Sequence, residues 1–257
     1  PLSSRAGTEA DPSLTSVASL PAPRPWLLHG ITGSGKTEVY LHWMERLLAS
    51  QPDVQVLLMV PEIGLTPALQ MQLQRRFPGQ PIAVLHSEMT DAARASHWLA
   101  AASGRARIIL GTRLAVLAPL PHLGAIIVDE EHEYLYKQQL TAPRYHARDV
   151  ALWRAHELGA KVLLTSETPS AEVLFHALRG KYQLLRPDPE AALAPLPQLG
   201  VIDLSGLRRS HDMPYGSMIS PPLYAEIQRQ LSLGRPVLLV QNRRGYAPYI
   251  LCDSCGS

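Results

Sequence analysis

The stretch Gly30-Ile31-Thr32-Gly33-Ser34-Gly35-Lys36-Thr37 has the form G-x-x-x-x-G-K-[ST], a phosphate-binding loop. An apolar run, Trp26-Leu27-Leu28, leads into it, and Val39, Trp43 and Leu47 at a spacing of four lead out as one helical face. Strand, loop and helix in that order are the setting the motif requires. Gly30, Gly33 and Gly35 let the backbone curl so that its N–H groups, with Thr32 and Ser34 between them, face a phosphate chain. The helix N-terminus adds partial positive charge. Lys36 is placed to reach the β- and γ-phosphates, and the Thr37 hydroxyl to ligate Mg²⁺. The expectation is a nucleoside triphosphate, ATP, with Mg²⁺.

Outward from the loop, short β-rich runs alternate with amphipathic ones. The predicted strands are 26–30, Val54–Val60, Ile82–His86, Arg107–Gly111, Ala125–Asp129 and Val162–Thr165. The predicted helices between them are Thr37–Ala49, Pro67–Phe77, Asp91–Ala102 and Ala147–Leu158. Runs such as Val56-Leu57-Leu58-Met59-Val60 read as strands buried on both faces, so the fold class is α/β, a doubly wound parallel sheet. Ligands in such folds sit at the carboxyl ends of strands. The phosphate loop, Pro61-Glu62, Gly111-Thr112-Arg113, Asp129-Glu130 and Ser166 all fall there.

Composition bounds the rest. Hydrophobic residues at 46% with 18% charged place the chain among globular proteins and against disorder. A net charge of +2 does not by itself argue for a nucleic-acid partner. No window holds 18 uninterrupted apolar residues, so no membrane span is expected. Leu114 to Val128 is uncharged but broken by Pro119, Pro121 and Gly124, a loop leading into a buried strand. Residues 1–25 are rich in Pro, Ser and Ala and read as a flexible linker. They have no signal-peptide pattern, and Cys252 and Cys255 are the sole cysteines, so a cytoplasmic protein without a disulfide framework is expected. The texture changes near residue 186. Domain organisation is predicted as 26–186, an ATP-binding domain, and 187–257, a Pro-punctuated connector with the beginning of a second α/β domain. In the latter, strands are expected at Gly200–Leu204 and Pro236–Gln241, with a helix at Pro222–Leu233.

Asp129-Glu130-Glu131-His132 follows the apolar run Ala125-Ile126-Ile127-Val128. Adjacent carboxylates at a strand end suit the second half of a Mg²⁺·ATP site, Asp129 holding the metal through water and Glu130 activating the attacking water. Gly111-Thr112-Arg113 offers a hydroxyl and a guanidinium for a DNA phosphate. Tyr134, Tyr136 and Tyr145 flank Lys137, Arg144, His146 and Arg148, a mixture suited to stacking on single-stranded DNA if the rings are exposed. Cys252-x-x-Cys255 is half of a tetrahedral zinc site, so Zn²⁺ is expected to be incomplete or absent here.

Together Gly30–Thr37 and Asp129–His132 resemble the superfamily 2 DExH helicases. Further strings resemble one family within it, the bacterial replication-restart helicases of the PriA type (primosomal protein N′): Val60-Pro61-Glu62-Ile63-Gly64-Leu65-Thr66, Leu85-His86-Ser87, Tyr136-Lys137-Gln138-Gln139, Arg144-Tyr145-His146-Ala147-Arg148-Asp149 and Asn242-Arg243-Arg244-Gly245-Tyr246-Ala247-Pro248. The resemblance runs from about residue 26 to the end. It implies a RecA-like first lobe and the start of a second, truncated at a zinc insertion. The implied activity is ATP-dependent 3′-to-5′ unwinding in replication-fork restart and primosome assembly. Implied partners are single-stranded and forked DNA, replication-restart proteins and single-strand-binding proteins, with a monomer in the nucleoid-associated bacterial cytoplasm. By the same resemblance Lys36, Asp129, Glu130 and His132 are catalytic, Glu62 borders the DNA track, the segment around Tyr136 and Tyr145 couples DNA contact to hydrolysis, and Ser166 and Thr168 bond with His132.

The chain departs from that pattern at Thr165-Ser166-Glu167-Thr168-Pro169, where the family has Gly-Ser-Ala-Thr-Pro, and at Ala142-Pro143, where it commonly has a Trp. Glu167 is expected either to bury an unpaired carboxylate, which costs several kcal/mol or raises its pKa, or to pair with an Arg. Second-lobe arginines that neutralise the γ-phosphate lie in later motifs, so slow hydrolysis is expected of this stretch alone. The alternatives are a pseudo-helicase, a DNA-binding and helicase-loading scaffold with little hydrolysis, and a P-loop nucleotide kinase.

Overall fold

The computed structural model describes residues 23–62, 66–139, 142–187, 199–213, 217 and 219–240. The chain divides into two compact units, Pro1–Pro195 and Leu196–Ser257.

The first unit is built on one parallel sheet of seven strands in the order β3-β4-β2-β5-β6-β1-β7. The strands are β1 (Trp26–His29), β2 (Gln55–Met59), β3 (Ile82–Leu85), β4 (Ile108–Gly111), β5 (Leu123–Val128), β6 (Lys161–Ser166) and β7 (Gln183–Leu185). The helices are α1 (Lys36–Ser50), α2 (Thr66–Arg76), α3 (Asp91–Ala102), α4 (Ala147–Leu158) and α5 (Ala171–Leu178). Parallel neighbours need crossovers, and the helices supply them.

The two faces carry separate cores. Leu57, Met59, Ile126, Val128 and Leu164 pack with Ala101 of α3, Ala147 and Ala151 of α4 and Val173 of α5. Their strand neighbours Val56, Leu58, Ile127 and Leu163 point the other way, against Tyr40, Met44 and Leu48 of α1 and Leu73 of α2. Successive side chains alternate between faces, so a strand buried on both must be apolar throughout. The sheet is thus doubly wound, as expected.

Two polar side chains tie the amino ends of the strands to the loops below. Arg107 donates to the carbonyls of Leu48 at 2.9 Å and Gln51 at 2.6 Å, joining the end of α1 to the start of β4. Gln55, fully buried, donates to the carbonyls of Ala101 and Ala106 at 2.8 and 2.9 Å and accepts from the His122 N–H at 3.1 Å. These bonds satisfy backbone groups that would otherwise be buried without partners.

Several expectations are corrected. Residues 113–117 form a 3₁₀ turn inside the predicted loop. Helix α5 and edge strand β7 were not foreseen. In the second unit, Gly200–Leu204 is not a strand. Its last residue begins α6 (Leu204–Arg209), capped by Asp203, whose Oδ1 accepts from Ser205 N at 2.9 Å. The expected strand at Pro236–Gln241 is likewise not formed over 236–240, and Gln241 lies outside the described residues. The predicted helix is present as α7 (Pro221–Ser232), with Ser220 at its N-cap and Pro at its first turn. No helix among the described residues is long and apolar enough to cross a membrane.

Candidate active site

The phosphate loop joins β1 to α1. Gly33 and Gly35 adopt φ of 78° and 83°, the left-handed region that glycine enters without a Cβ clash. A Cβ at either would meet nothing within 4 Å, so open space lies before both. Gly30 is crowded instead, its Cβ position 2.5 Å from Ser34 Oγ and 2.9 Å from Pro187 Cγ. Gly35 is the N-cap of α1 and makes no side-chain cap, which leaves first-turn N–H groups for a ligand. Lys36 is buried. Its Nζ donates to the Gly30 carbonyl at 2.7 Å and lies 3.5 Å from Glu130 Oε1.

Strand β5 delivers the acidic residues to the same place. A cavity of about 390 Å³ is lined by Thr32, Gly33, Lys36, Thr37, Asp129 and Glu130 among others. Asp129 accepts from Thr165 Oγ1 at 2.5 Å and from Tyr40 OH at 3.4 Å. Burial raises its pKa above the ordinary carboxylate value, while the Thr165 and Tyr40 hydrogen bonds and Lys36 pull it down. Glu130 is also raised by burial, opposed by Lys36 and reinforced by Asp129. Its backbone takes φ of 47°, an uncommon left-handed setting for a non-glycine residue. The oxygens of Thr37, Asp129 and Glu130 at one cavity are a hard-donor set that fits Mg²⁺.

Sequence reasoning missed the supports of this pair. Tyr40 is fully buried, hydrogen-bonds to both Thr37 and Asp129, and has its pKa pushed up by burial and by Asp129. The spacing of three between Thr37 and Tyr40 on α1 was the available signal. Glu131 is fully buried as well. It accepts from Arg148 Nη1 at 2.9 Å, Ser170 N at 2.8 Å and Ser170 Oγ at 3.0 Å. Burial opposes the Arg148 charge, but the hydrogen bonds it donates to Asp149 and Glu131 outweigh that and hold the guanidinium above its ordinary value. The third carboxylate of the motif thus clamps α4 and the start of α5 to the end of β5.

His132 Nδ1 lies 2.7 Å from Ser166 Oγ, which also accepts from Thr168 N at 3.0 Å. It is therefore the Thr168 backbone, rather than its hydroxyl, that joins this network through Ser166. Glu167 is corrected outright: it is exposed, not buried, and accepts a hydrogen bond from Thr32 Oγ1 of the phosphate loop. That bond, with Lys36 and His132, holds its carboxyl below the usual range. No penalty for a buried charge arises, which removes one ground for the pseudo-helicase reading.

The expected DNA-contacting residues divide. Tyr136 is fully buried and donates to the Asp129 carbonyl at 2.7 Å, so it cannot stack on a base and instead supports the acidic motif. Thr112 is buried too, leaving Arg113, whose Nη1 donates to the Leu135 carbonyl at 3.4 Å, as the more accessible of that pair. Tyr134 is exposed. Lys137 pairs with His146 in an isolated antiparallel bridge, and a cavity of about 450 Å³ is lined by Lys137, Gln138, Gln139, Arg144, Tyr145 and His146. Lys137 and Arg144 are exposed, and Tyr145 is half-buried with its hydroxyl donating to the Arg113 carbonyl at 3.4 Å. Glu62 is exposed at the end of β2. Cys252 and Cys255 lie outside the described residues, among which no group of three or more His, Cys, Asp or Glu could hold a metal.

A family model described as DEAD/DEAH box helicase matches residues 15–174. The chain is 45% identical over 231 residues to the replication restart protein PriA of Haemophilus influenzae, covering 90% of this chain and 30% of the relative. It is 38% identical to the replication restart protein PriA of Bacillus subtilis, covering 90% of this chain and 28% of that one. The chain therefore spans about 30% of the length of these relatives. A DEAD box protein from Methanococcus jannaschii superposes with a TM-score of 0.49 at 18% identity, over 66% of this chain and 47% of that one. With its phosphate loop and its Asp-Glu-Glu-His strand end opening on one cavity, and with the match extending over most of its length, the chain belongs to the DEAD/DEAH box helicase family.

Proposed function

We propose that this chain is the ATP-binding lobe, with the start of a second lobe, of a 3′-to-5′ DNA helicase of the PriA type that acts in replication-fork restart and primosome assembly. The observation that carries the reading is the position of Lys36. Its ammonium lies between the Gly30 carbonyl and Glu130, in a cavity shared with Thr37 and Asp129. Bound Mg²⁺ would neutralise charge on the β- and γ-phosphates. Thr37 and Asp129 are the residues that would hold it. Glu130 would orient and deprotonate the attacking water, its raised pKa making it a stronger base than an ordinary carboxylate. His132 and Ser166, 2.7 Å apart, would carry the state of the site to the turn after β6. In this reading Cys252 and Cys255 are one half of a zinc site.

DNA would be met at the basic cavity by Lys137, Arg144 and Tyr145, with Arg113 beside it and Glu62 bordering the track. Exposed cations there contact backbone phosphate and give a salt-dependent, sequence-tolerant affinity. Replacing Lys137 and Arg144 with alanine flattens the slope of log K against log salt for an oligo-dT strand by about 0.7 per residue removed. Fluorescence anisotropy across a salt series reads this directly, and an unchanged slope removes the cavity from the DNA path. The activity itself is tested by ATP-driven separation of forked duplexes in the full-length protein. Unwinding from a 3′ tail and not a 5′ tail supports the reading; absence of ATP-dependent unwinding on both, or opposite polarity, overturns it.

A further inference from the structure

The turn after β6 carries a carboxylate for which the roles above have no use. Strands β1 and β6 run side by side with His29 opposite Ser166, and the Gly30 N–H donates to the Ser166 carbonyl at 3.2 Å. The next residue, Glu167, therefore lands against the phosphate loop, where its Oε2 accepts from Thr32 Oγ1. Thr32 lines the cavity that also holds Lys36 and Glu130. The bond from Thr32 thus ties Glu167 to the rim of that cavity.

That cavity is where the terminal phosphates of a triphosphate belong, since the loop lysine reaches for the β- and γ-phosphates. Besides Asp129, a residue that would hold the metal, two acidic side chains stand at or beside it, and they differ in one respect. Glu130 has an ammonium at 3.5 Å, whereas the hydrogen-bond partner of Glu167 is a neutral hydroxyl. Glu167 is exposed, its carboxylate form is favoured, and among the described residues no ion pair holds it, so its charge adds to the field an incoming polyanion meets at that rim. A diphosphate carries less charge and is repelled less.

Resting on the nucleotide-site reading above, we propose that Glu167 is a specificity-determining residue of that site: its carboxylate, latched to Thr32 at the rim of the phosphate loop, weakens triphosphate binding relative to diphosphate. The residue is a sequence departure peculiar to the turn, and its exposure means that substitution leaves the cores of the first unit untouched.

The test measures dissociation constants for a fluorescent, slowly hydrolysed ATP analogue and the matching ADP analogue at fixed Mg²⁺. The proteins are the parent, E167Q, E167A and Lys36→Ala. E167Q keeps an acceptor for Thr32 and removes only the charge. Expected is triphosphate binding tighter by about fivefold in both Glu167 variants, with diphosphate changed by less than about twofold. The gain shrinks as salt rises, because an exposed charge is screened. An unchanged triphosphate-to-diphosphate ratio, or weaker triphosphate binding, overturns the proposal. Should the parent bind and Lys36→Ala fail to, with that ratio unmoved in E167Q, the proposal falls alone. Should the parent bind neither analogue, the nucleotide-site reading falls and takes the proposal with it.

Discussion

Replacing Lys36 with alanine weakens Mg²⁺·ATP binding by roughly a hundredfold. The magnitude takes the lower end for hydrogen bonds to charged groups, about 1.5 kcal/mol each, of which the ammonium would make two to a bound phosphate chain. Without ligand, the same ammonium donates to Gly30 and Ile31 carbonyls at 2.7 and 3.4 Å and offsets Glu130. The substitution therefore acts twice. It removes the donor that phosphate would recruit, and it strips Glu130 of the cation that lowers its pKa, pushing that carboxyl further toward the neutral form. Lys36→Arg is not expected to restore binding, because a planar guanidinium does not fit a site shaped for a compact ammonium. Isothermal titration calorimetry gives the answer, and a loss smaller than about threefold would be incompatible with Lys36 as a phosphate ligand.

The largest effect on stability is expected from Arg148→Ala. Glu131 is wholly buried, and losing its guanidinium leaves it with Ser170 alone among its hydrogen-bonding side chains. Breaking a buried pair from one side costs about 3–5 kcal/mol, against about 1 kcal/mol or less for an exposed ion pair such as Arg229–Glu226. For a unit of this size the melting midpoint falls by roughly 10 °C. Removing both charges together, as Arg148→Met with Glu131→Met, recovers most of the loss, since no unpaired ion remains. Circular dichroism melts distinguish these outcomes. A single-variant loss under about 1 kcal/mol would mean that the pair is solvated in practice.

The sheet was legible because its central strands leave no ambiguity. Val56 to Met59 and Ile126 to Val128 are unbroken apolar runs, and each alternates between the two cores. The phosphate loop was legible for a related reason, its glycines and lysine being dictated by local backbone chemistry. What escaped was nonlocal. Strand β7 has only three residues and exists by pairing with β1, which no pattern within Gln183-Leu184-Leu185 announces. The apolar runs at 200–204 and 236–240 resemble strands in isolation, but the only sheet among the described residues includes neither, and a strand without a partner leaves its backbone unpaired.

The site shows the same division. Lys36, Thr37, Asp129 and Glu130 share one cavity, whereas the side chains that orient them come from distant segments. Thr165 bonds Asp129 from 36 residues away and Arg148 bonds Glu131 from 17. Tyr136 looked like a surface aromatic because it neighbours Lys137, yet a 3₁₀ turn rotates it inward to the Asp129 carbonyl. Glu167 was misplaced in the opposite sense, since the identity of a turn residue does not disclose whether it faces the core or the loop opposite.

The brackets formed by Arg107 and Gln55 bear on how this lobe breathes. They fasten the floor of the sheet, stitching the end of α1, the start of β4 and the approach to β5 into one block. The loops at the opposite rim, Gly30–Thr37 and the turn after β6, are bonded mainly to one another, and Gly33 and Glu167 within them are exposed. Deuterium uptake should therefore run as a vertical gradient, slow at the amides of Gln55 and Val56 and fast near Gly33 and Glu167. Nucleotide would then do its work by quieting the rim while the floor keeps its tempo.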